Sequence, residues 1–413
     1  MDNVTHSLAG LLLAEATVCL RSRRTGAAAS GTATVATASL LAANLPDADL
    51  LYTGAGGNRL AYMLHHRGYT HTVIGVVIGA ILVWGLTLVV LRWRSRQWVA
   101  RHEAGWLLAL LTVSTVSHLV LDWTNSYGVH PFWPFDDRWY YGDSVFIVEP
   151  WLWVVSVPAL VAASRARAAR VMLSLVLLAG VVLAWRVDLV SKGAALSLTA
   201  GAVLSIGLAL VLGRSARVVG AMAGWIGVTL VMALGSAKAK RDVLAAARAS
   251  DRNAEVLDVV VSPLPANAVC MAVITVERSG SVYRVSTVRA SAVPSISDAA
   301  RCATRSEAGS LFHASPRPST RAVHWDHEWS APLAELSTLA RESCPALAAL
   351  RFIRVPVWHS VSAGALLLGD ARYGGGSGSS FADVRVARQT SVCPRAVPPW
   401  TPPRAELFGL ATR

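Results

Sequence analysis

The sequence predicts an all-α multispan membrane domain of about eight transmembrane helices, followed by a soluble α+β domain. Three observations carry this prediction. Long apolar runs fill the first 236 of the 413 residues, and a more ordinary mixture follows. Charged residues make up only 15% of the chain, against about a quarter in soluble proteins. Short stretches rich in β-branched residues that suit strands follow residue 242. The expected domains are therefore 1–236 and 242–413, with the polar motifs confined to about 1–160.

The apolar runs are 4–20, 27–45, 73–91, 105–121, 145–163, 171–187, 194–212 and 218–235. Each approaches the ~20 residues that cross a bilayer. The first two are short and rich in Ala, Gly, Ser and Thr, a composition that lets helices approach closely in lipid. The N-terminal run lacks a basic start, and Arg21, Arg23 and Arg24 follow it, which argues against a cleaved signal peptide.

Basic residues set the expected orientation. Twelve lie in one set of alternate loops, at 21–24, 92–101, 165–170 and 214–217. The other set holds five, Arg59, Arg67, Arg138, Arg186 and Lys192, in longer loops. Lys and Arg stay on the cytoplasmic side. The N-terminus, the 46–72 and 122–144 loops and everything after Gly235 are then expected outside. Lys238, Lys240 and Arg241 oppose this, but follow the last span.

Strands are expected at 256–262, 269–277, 282–290, 352–358 and 381–387. The Gly374–Ser380 stretch, GGGSGSS, reads as a flexible loop, and the tail from Pro398 as proline-rich and disordered. Cys270, Cys302, Cys344 and Cys393 fall in the soluble domain. In an exported domain they suggest two disulfides in one of three pairings, with four buried thiols as the alternative.

Four polar clusters interrupt the apolar region: MDNVTH (Asp2, His6), NLPDAD (Asn44, Asp47, Asp49), HHRGYTH (His65, His66, Arg67, His71) and SHLVLDWTNSYG (His118, Asp122, Asn125). The orientation derived from basic residues puts all four at the same, outer end of their spans. His118 and Asp122, at i and i+4, share one helical face. Ionisable groups near hydrocarbon are costly unless paired or coordinated. His and Asp at helical spacing are metal-ligand types. A plain His–Asp hydrogen bond between helices is the competing reading.

His66 and His71 bracket Arg67–Gly68, and Gly68 is expected to let the chain turn so that both reach one site. Arg67 suits a phosphate or carboxylate, which it can hold bidentately. Asp47 and Asp49 follow the helix-ending Pro46 and are expected on one side of an extended segment. Asp136, Asp137, Asp143 and Glu149 are weaker candidates. In the soluble domain, HWDHEW (His324, Asp326, His327, Glu328) mixes ligand types without a zinc spacing.

Together these motifs resemble the YdjM-like family of inner-membrane-associated, metal-dependent hydrolases. The likeness spans about residues 1–160 in motif order and spacing, and SPLPAN at 262–267 resembles the start of the C-terminal portion of longer members. The resemblance implies an integral inner-membrane protein whose matched polar positions are His6, Asp47, Asp49, His66, Arg67, His71, His118 and Asp122.

The expected chemistry is metal-assisted hydrolysis with one or two Zn²⁺ ions. His6, His66, His71, His118 and Asp122 are the expected ligands. Asp47 or Asp49 serves as a ligand or general base, and Arg67 clamps the substrate anion. A site at headgroup depth suggests a phosphoester or ester of a membrane lipid or lipid-linked substrate. A divalent-cation transporter would use the same residue types, although transport sites sit near the midplane. A non-catalytic scaffold with an exported interaction domain would use the clusters as helix glue. The net charge of +13 sits in loops without a recognisable nucleic-acid module. No P-loop, Gly-x-Ser-x-Gly or dinucleotide motif is present.

Overall fold

The computed structural model describes residues 1–25, 32–53, 58–304 and 311–409. The helical part begins with α1 (Asn3–Thr25) and α2 (Thr32–Asn44), then a 3-10 turn (Leu45–Asp49), α3 (Leu50–Thr53) and α4 (Arg59–His65). It continues through α5 (Val73–Ser95), α6 (Arg101–Trp123), α7 (Pro150–Ala163), α8 (Arg167–Arg186), α9 (Lys192–Val211) and α10 (Arg214–Ser250).

Among the described residues, six helices are long and apolar enough to cross a membrane: α1, α5, α6, α8, α9 and α10. The other two expected spans are shorter. α2 has 13 residues and α7 has 14. At 1.5 Å per residue they rise only about 20 Å, short of the ~30 Å hydrocarbon core. Among the described residues, six of the eight expected spans thus reach full length.

Small residues hold the first helices together. A Cβ on Gly10 would lie 2.7 Å from the Ser39 carbonyl oxygen and 2.8 Å from Ala43 Cβ, so α1 and α2 touch through backbone. The Ser39 hydroxyl donates to the Gly10 carbonyl at 2.7 Å and lies 2.8 Å from Ser114 Oγ on α6. α1, α2 and α6 therefore form one tight trio, and their polar ends are brought into register.

α10 runs for 37 residues. Its apolar first part lies among the spans. Its second part buries Ala239, Val243 and Ala247 against Val259, Met271 and Val273. These helix positions are four apart, so they form one stripe.

The sheet they cover contains β1 (Glu255–Leu264), β2 (Asn267–Ser279), β3 (Val282–Ser291), β4 (His313–Ala314) and β5 (Val323–Pro332). It is antiparallel, in the order β1-β2-β3-β5-β4. α11 (Leu333–Glu342) and α12 (Cys344–Leu350) lead to a second antiparallel sheet of β6 (Pro356–Ser362), β7 (Ala365–Asp370) and β8 (Val384–Ala387). The chain is thus a helical membrane region followed by a β-rich α+β region.

The cysteines pair as Cys270–Cys302 and Cys344–Cys393. The GGGSGSS stretch is organised around Asp383, whose carboxylate accepts backbone N–H groups from Gly376 (3.0 Å), Gly378 (2.8 Å) and Ser380 (3.3 Å).

The tail corrects its expectation. Trp400 is fully buried, and its indole N–H donates to the Leu64 carbonyl at 2.9 Å. Leu407 and Phe408 join the same core. Its prolines set turns, while its apolar side chains pay for the ordering of the backbone by burial. That core also contains Met63, Tyr127 and Trp139 from the membrane region. The C-terminal region therefore seats on the end of the helices that carries the polar clusters.

Candidate metal centre

Four side chains from three elements converge. Asp47 comes from the turn after α2, His71 from a 3-10 turn before α5, and His118 and Asp122 from the end of α6. One ligand atom from each lies within 4.8 Å of the others, and all four residues are buried. His71 Nε2 is 3.1 Å from Asp122 Oδ2 and 3.4 Å from Asp47 Oδ1. His118 Nε2 is 3.5 Å from Asp122 Oδ2 and 3.6 Å from Asp47 Oδ1.

The orientation of both rings is set from behind. His118 Nδ1 donates to the Ala43 carbonyl at 2.7 Å, so its Nε2 presents a lone pair. His71 Nδ1 lies 3.0 Å from Thr70 Oγ1 and 3.5 Å from Asp49 Oδ2. The two Nε2 atoms then face each other at 3.1 Å. Two lone pairs at that distance require a cation or a shared proton between them. Asp122 Oδ2 is buried without a hydrogen-bond partner and points into the same space. Two imidazoles and two carboxylates are a donor set for a divalent cation.

The charges outside the spans agree. Burial opposes a charge on His71, but contacts with Asp122, Asp47 and Asp49 outweigh it and raise its pKa to about 10. In the metal-free protein a proton on His71 thus supplies the positive charge the carboxylates need. Burial raises the Asp47 carboxyl, yet hydrogen bonds from His118 and His71 hold it well below the usual carboxylate range.

The remaining expected residues occupy different positions. His6 Nε2 is 3.3 Å from the other oxygen of Asp122, and its ring stacks on His118 with centroids 3.7 Å apart. It braces the cluster rather than entering the four-atom group. The Met1 amine also contacts Asp122 Oδ1.

His66 joins Asp47 and Asp49 in a second group of ligand atoms within 4.8 Å. Its Nδ1 lies 3.0 Å from Asp49 Oδ1. Burial lowers its pKa, against the pull of Asp49. Asp49 is fully engaged. Its Oδ2 accepts from Arg67 N at 2.9 Å and Thr70 Oγ1 at 3.1 Å. The extended segment expected for Asp47 and Asp49 is a 3-10 turn, Leu45–Asp49. The two carboxylates still reach one site, since both lie beside His71 and His66, and Asp49 alone also holds Arg67 N and Thr70 Oγ1.

Arg67, expected to clamp a substrate anion, is also tied into the cluster. Its Nη2 is 3.0 Å from Asp122 Oδ1, its Nη1 donates to Asn125 Oδ1 at 3.0 Å, and its guanidinium lies over the Tyr127 ring at 4.5 Å. The turn is made by Arg67 itself, at φ 59°, and not by Gly68. Gly68 is needed for space: a Cβ there would sit 2.9 Å from the His65 carbonyl oxygen. The left-handed residue is held at both ends, its N–H by Asp49 and its carbonyl by His130 Nδ1 at 3.3 Å.

His130 was not among the expected residues, nor were Asn3 and Thr70. Asn3 Nδ2 donates to Asp47 Oδ2 at 3.2 Å. Lone polar residues in apparent loops carried no spacing signal. Beside the cluster, a cavity of about 210 Å³ is lined by Tyr62, His66, Arg67, Asn125 and Tyr127, with Tyr373 and Phe381 from the C-terminal region.

The weaker candidates are structural. Asp2 caps α1 through Thr5 N at 2.9 Å. Glu149 caps α7 through Trp151 N at 3.1 Å and ties it to Ala266 N at 3.2 Å. Asp143 pairs with Arg354 at 2.8 Å, Asp136 with Arg138 at 2.6 Å, and Asp137 with Thr401 at 2.6 Å. HWDHEW is strand β5. Its Asp326 pairs with Arg289 at 2.7 Å, and Glu328 lies 3.7 Å from Arg317. Among the described residues, the clusters suited to a metal are those around Asp47.

The polar cluster at the ends of α1, α2 and α6 coincides with a matched family segment. Residues 1–191 match the family described as YdjM inner membrane protein. Over that segment, a little under half of the chain, the protein is similar to the YdjM family. The YdjM segment contains every residue of the cluster and ends before α9, so the sheets that cover the site lie outside it. No curated protein and no solved structure matches the chain.

Proposed function

We propose that this protein is a membrane-embedded, metal-dependent hydrolase acting on a phosphoester or ester of a lipid or lipid-linked substrate. The observation that carries the reading is the buried convergence of Asp47, His71, His118 and Asp122, with two facing Nε2 atoms and an unpartnered carboxylate oxygen. These residues would hold one divalent cation, and nitrogen and oxygen donors suit Zn²⁺. Such an ion supplies Lewis acidity and a water of lowered pKa when bound.

The chain's own residues then have distinct tasks. Arg67 and His6 fix Asp122 through its other oxygen. Asp49 orients His66 through Nδ1, leaving Nε2 as the acceptor for a proton from water. Histidine with a buried carboxylate behind it is a common general base. Water adds to the phosphorus or carbonyl carbon, the bond to the leaving oxygen breaks, and the proton taken by His66 returns to that oxygen. Tyr373 and Phe381 limit bulk water beside Arg67 and His66.

An outward-facing site is supported by the loop charges and by the two disulfides, which form in oxidising compartments. The test is metal content and turnover of purified protein on phospholipid and lipid-phosphate panels. Wild type should bind metal and release product. Asp122→Asn and His66→Gln should both lose turnover, but only Asp122→Asn should lose metal. Equal turnover in all three would refute the reading.

A further inference from the structure

A groove of about 800 Å³ runs between α2 and α5. Its volume lies in the ~300–1,000 Å³ range of small-molecule sites. Its middle is formed by Ala38, Leu41 and Leu45 on one side and Val83, Leu86 and Val90 on the other. Leu41 and Leu86 are exposed there, the first on α2 and the second on α5, which is long and apolar enough to cross a membrane. One end is polar and carries Asn3, Asn44 and Asp47; the other is marked by Arg94. Along α5, Val83 to Arg94 rises about 16 Å at helical pitch, so the groove runs along the membrane normal for roughly one leaflet.

Three features identify the occupant. Apolar side chains, Leu41 and Leu86, stand exposed at its mouth, the latter on a helix long enough to cross a bilayer. Of the three threonines that line it, Thr34, Thr37 and Thr87, the last spends its hydroxyl on its own helix, with Thr87 Oγ1 donating to Val83 O at 2.6 Å. Above all, the groove shares a residue with the metal cluster. Asp47 lines it and is also 3.4 Å from His71 Nε2. Asn3 and Asn44 stand at that junction, with Asn3 Nδ2 on Asp47 Oδ2 and Asn44 Nδ2 on Ser7 Oγ at 3.0 Å. Next to them Leu51 and Tyr52 are exposed on α3, as residues dipping into the membrane interface are.

We infer that the α2–α5 groove holds one hydrocarbon chain of a membrane lipid, which reaches the Asp47 end laterally from the bilayer with its ester or phosphoester foremost. As an assignment of substrate this rests on the hydrolase reading above; as a lipid site it does not.

The test uses phosphatidylglycerol vesicles doped with the same lipid carrying a diazirine in one acyl chain. Full-length protein is compared with Thr37→Trp, which fills the groove from its exposed wall, and with Leu82→Trp, exposed on α5 outside the groove. Leu86→Trp is a second filling variant on the facing helix. Labelling of wild type should saturate at one lipid per chain and map to peptides containing Leu41 and Leu86. It should fall about tenfold in the filling variants, equivalent to ~1.4 kcal/mol of binding, and stay unchanged in Leu82→Trp. Metal content, measured in parallel, should be equal in all four. Labelling that does not saturate, or that Thr37→Trp and Leu86→Trp leave intact, overturns the groove while leaving the metal centre standing. Saturable labelling lost in the filling variants of a protein without metal supports the lipid site and removes the hydrolase reading. A dimer that Thr37→Trp dissociates, with no labelled lipid, shows a second copy in the groove and overturns the inference.

Discussion

Asp122→Asn removes one charge and almost no volume, yet Asp122 is the residue on which the cluster turns. One oxygen meets Arg67 at 3.0 Å and His6 at 3.3 Å; the other faces His71 at 3.1 Å and His118 at 3.5 Å. A four-ligand zinc site provides about 10–16 kcal/mol in all. One ligand's share is then roughly 3–4 kcal/mol, or about 10²–10³-fold in affinity. The amide also leaves the buried Arg67 without its carboxylate, a change that typically costs ~3–5 kcal/mol of stability. The assay is chelator competition on the folded, monodisperse fraction, with thermal unfolding measured beside it. Metal affinity should fall by two to three decades and the unfolding temperature should fall as well. Wild-type affinity in a folded Asp122→Asn protein would refute the claim that this carboxylate is a ligand.

Other perturbations separate the parts of the account. In metal-free protein His71 has a folded pKa of about 10 against an unfolded 6.5; its contribution is full below pH 6.5 and lost as pH rises through 10, so the unfolding temperature should fall across that window, more than in His71→Gln. Metal uptake displaces that proton, so apparent affinity should rise by up to tenfold per pH unit below about 10. Gly10→Leu should push α1 from Ser39 and Ala43 and abolish metal binding without touching a ligand, as metal analysis would register. Reduction of the two disulfides, which close loops with sequence separations of 32 and 49, should destabilise the C-terminal region by about 4 kcal/mol each at most, measured by denaturant unfolding. A reporter fused after Gly235 or inserted near Asn58 should be active only in an extracytoplasmic compartment.

The helical part of the site was legible because its signals are local. His118 and Asp122 declare a shared face by spacing alone, and loop arginines put the four polar clusters at one end without reference to them. What was not legible depends on packing. Asp47 and Asp49 look equivalent in NLPDAD, and only the 3-10 turn gives Asp49, and not Asp47, the Arg67 N–H and the Thr70 hydroxyl. Gly68 looked like the turning residue, but Arg67 turns because Asp49 and His130 hold both sides of it. HWDHEW drew notice because it mixes ligand types closely, but it is strand β5, whose register shifts opposite Thr287 and Val288. The tail read as disordered because its prolines are local, whereas the pocket that receives Trp400 is built by residues more than 250 positions earlier. β7, with its run of three leucines, was missed because a short buried strand has no alternation to betray it.

The central claim is that Asp47, His71, His118 and Asp122 hold a cation. X-ray absorption of detergent-purified protein, quantified by metal content per chain, tests it most directly. The account predicts one tightly bound divalent metal per chain, with a shell of nitrogen and oxygen only, two histidines among the donors, and loss of that signal in His118→Ala. A folded wild-type protein that retains no metal and takes up none on titration would contradict it, as would a His118→Ala spectrum identical to wild type.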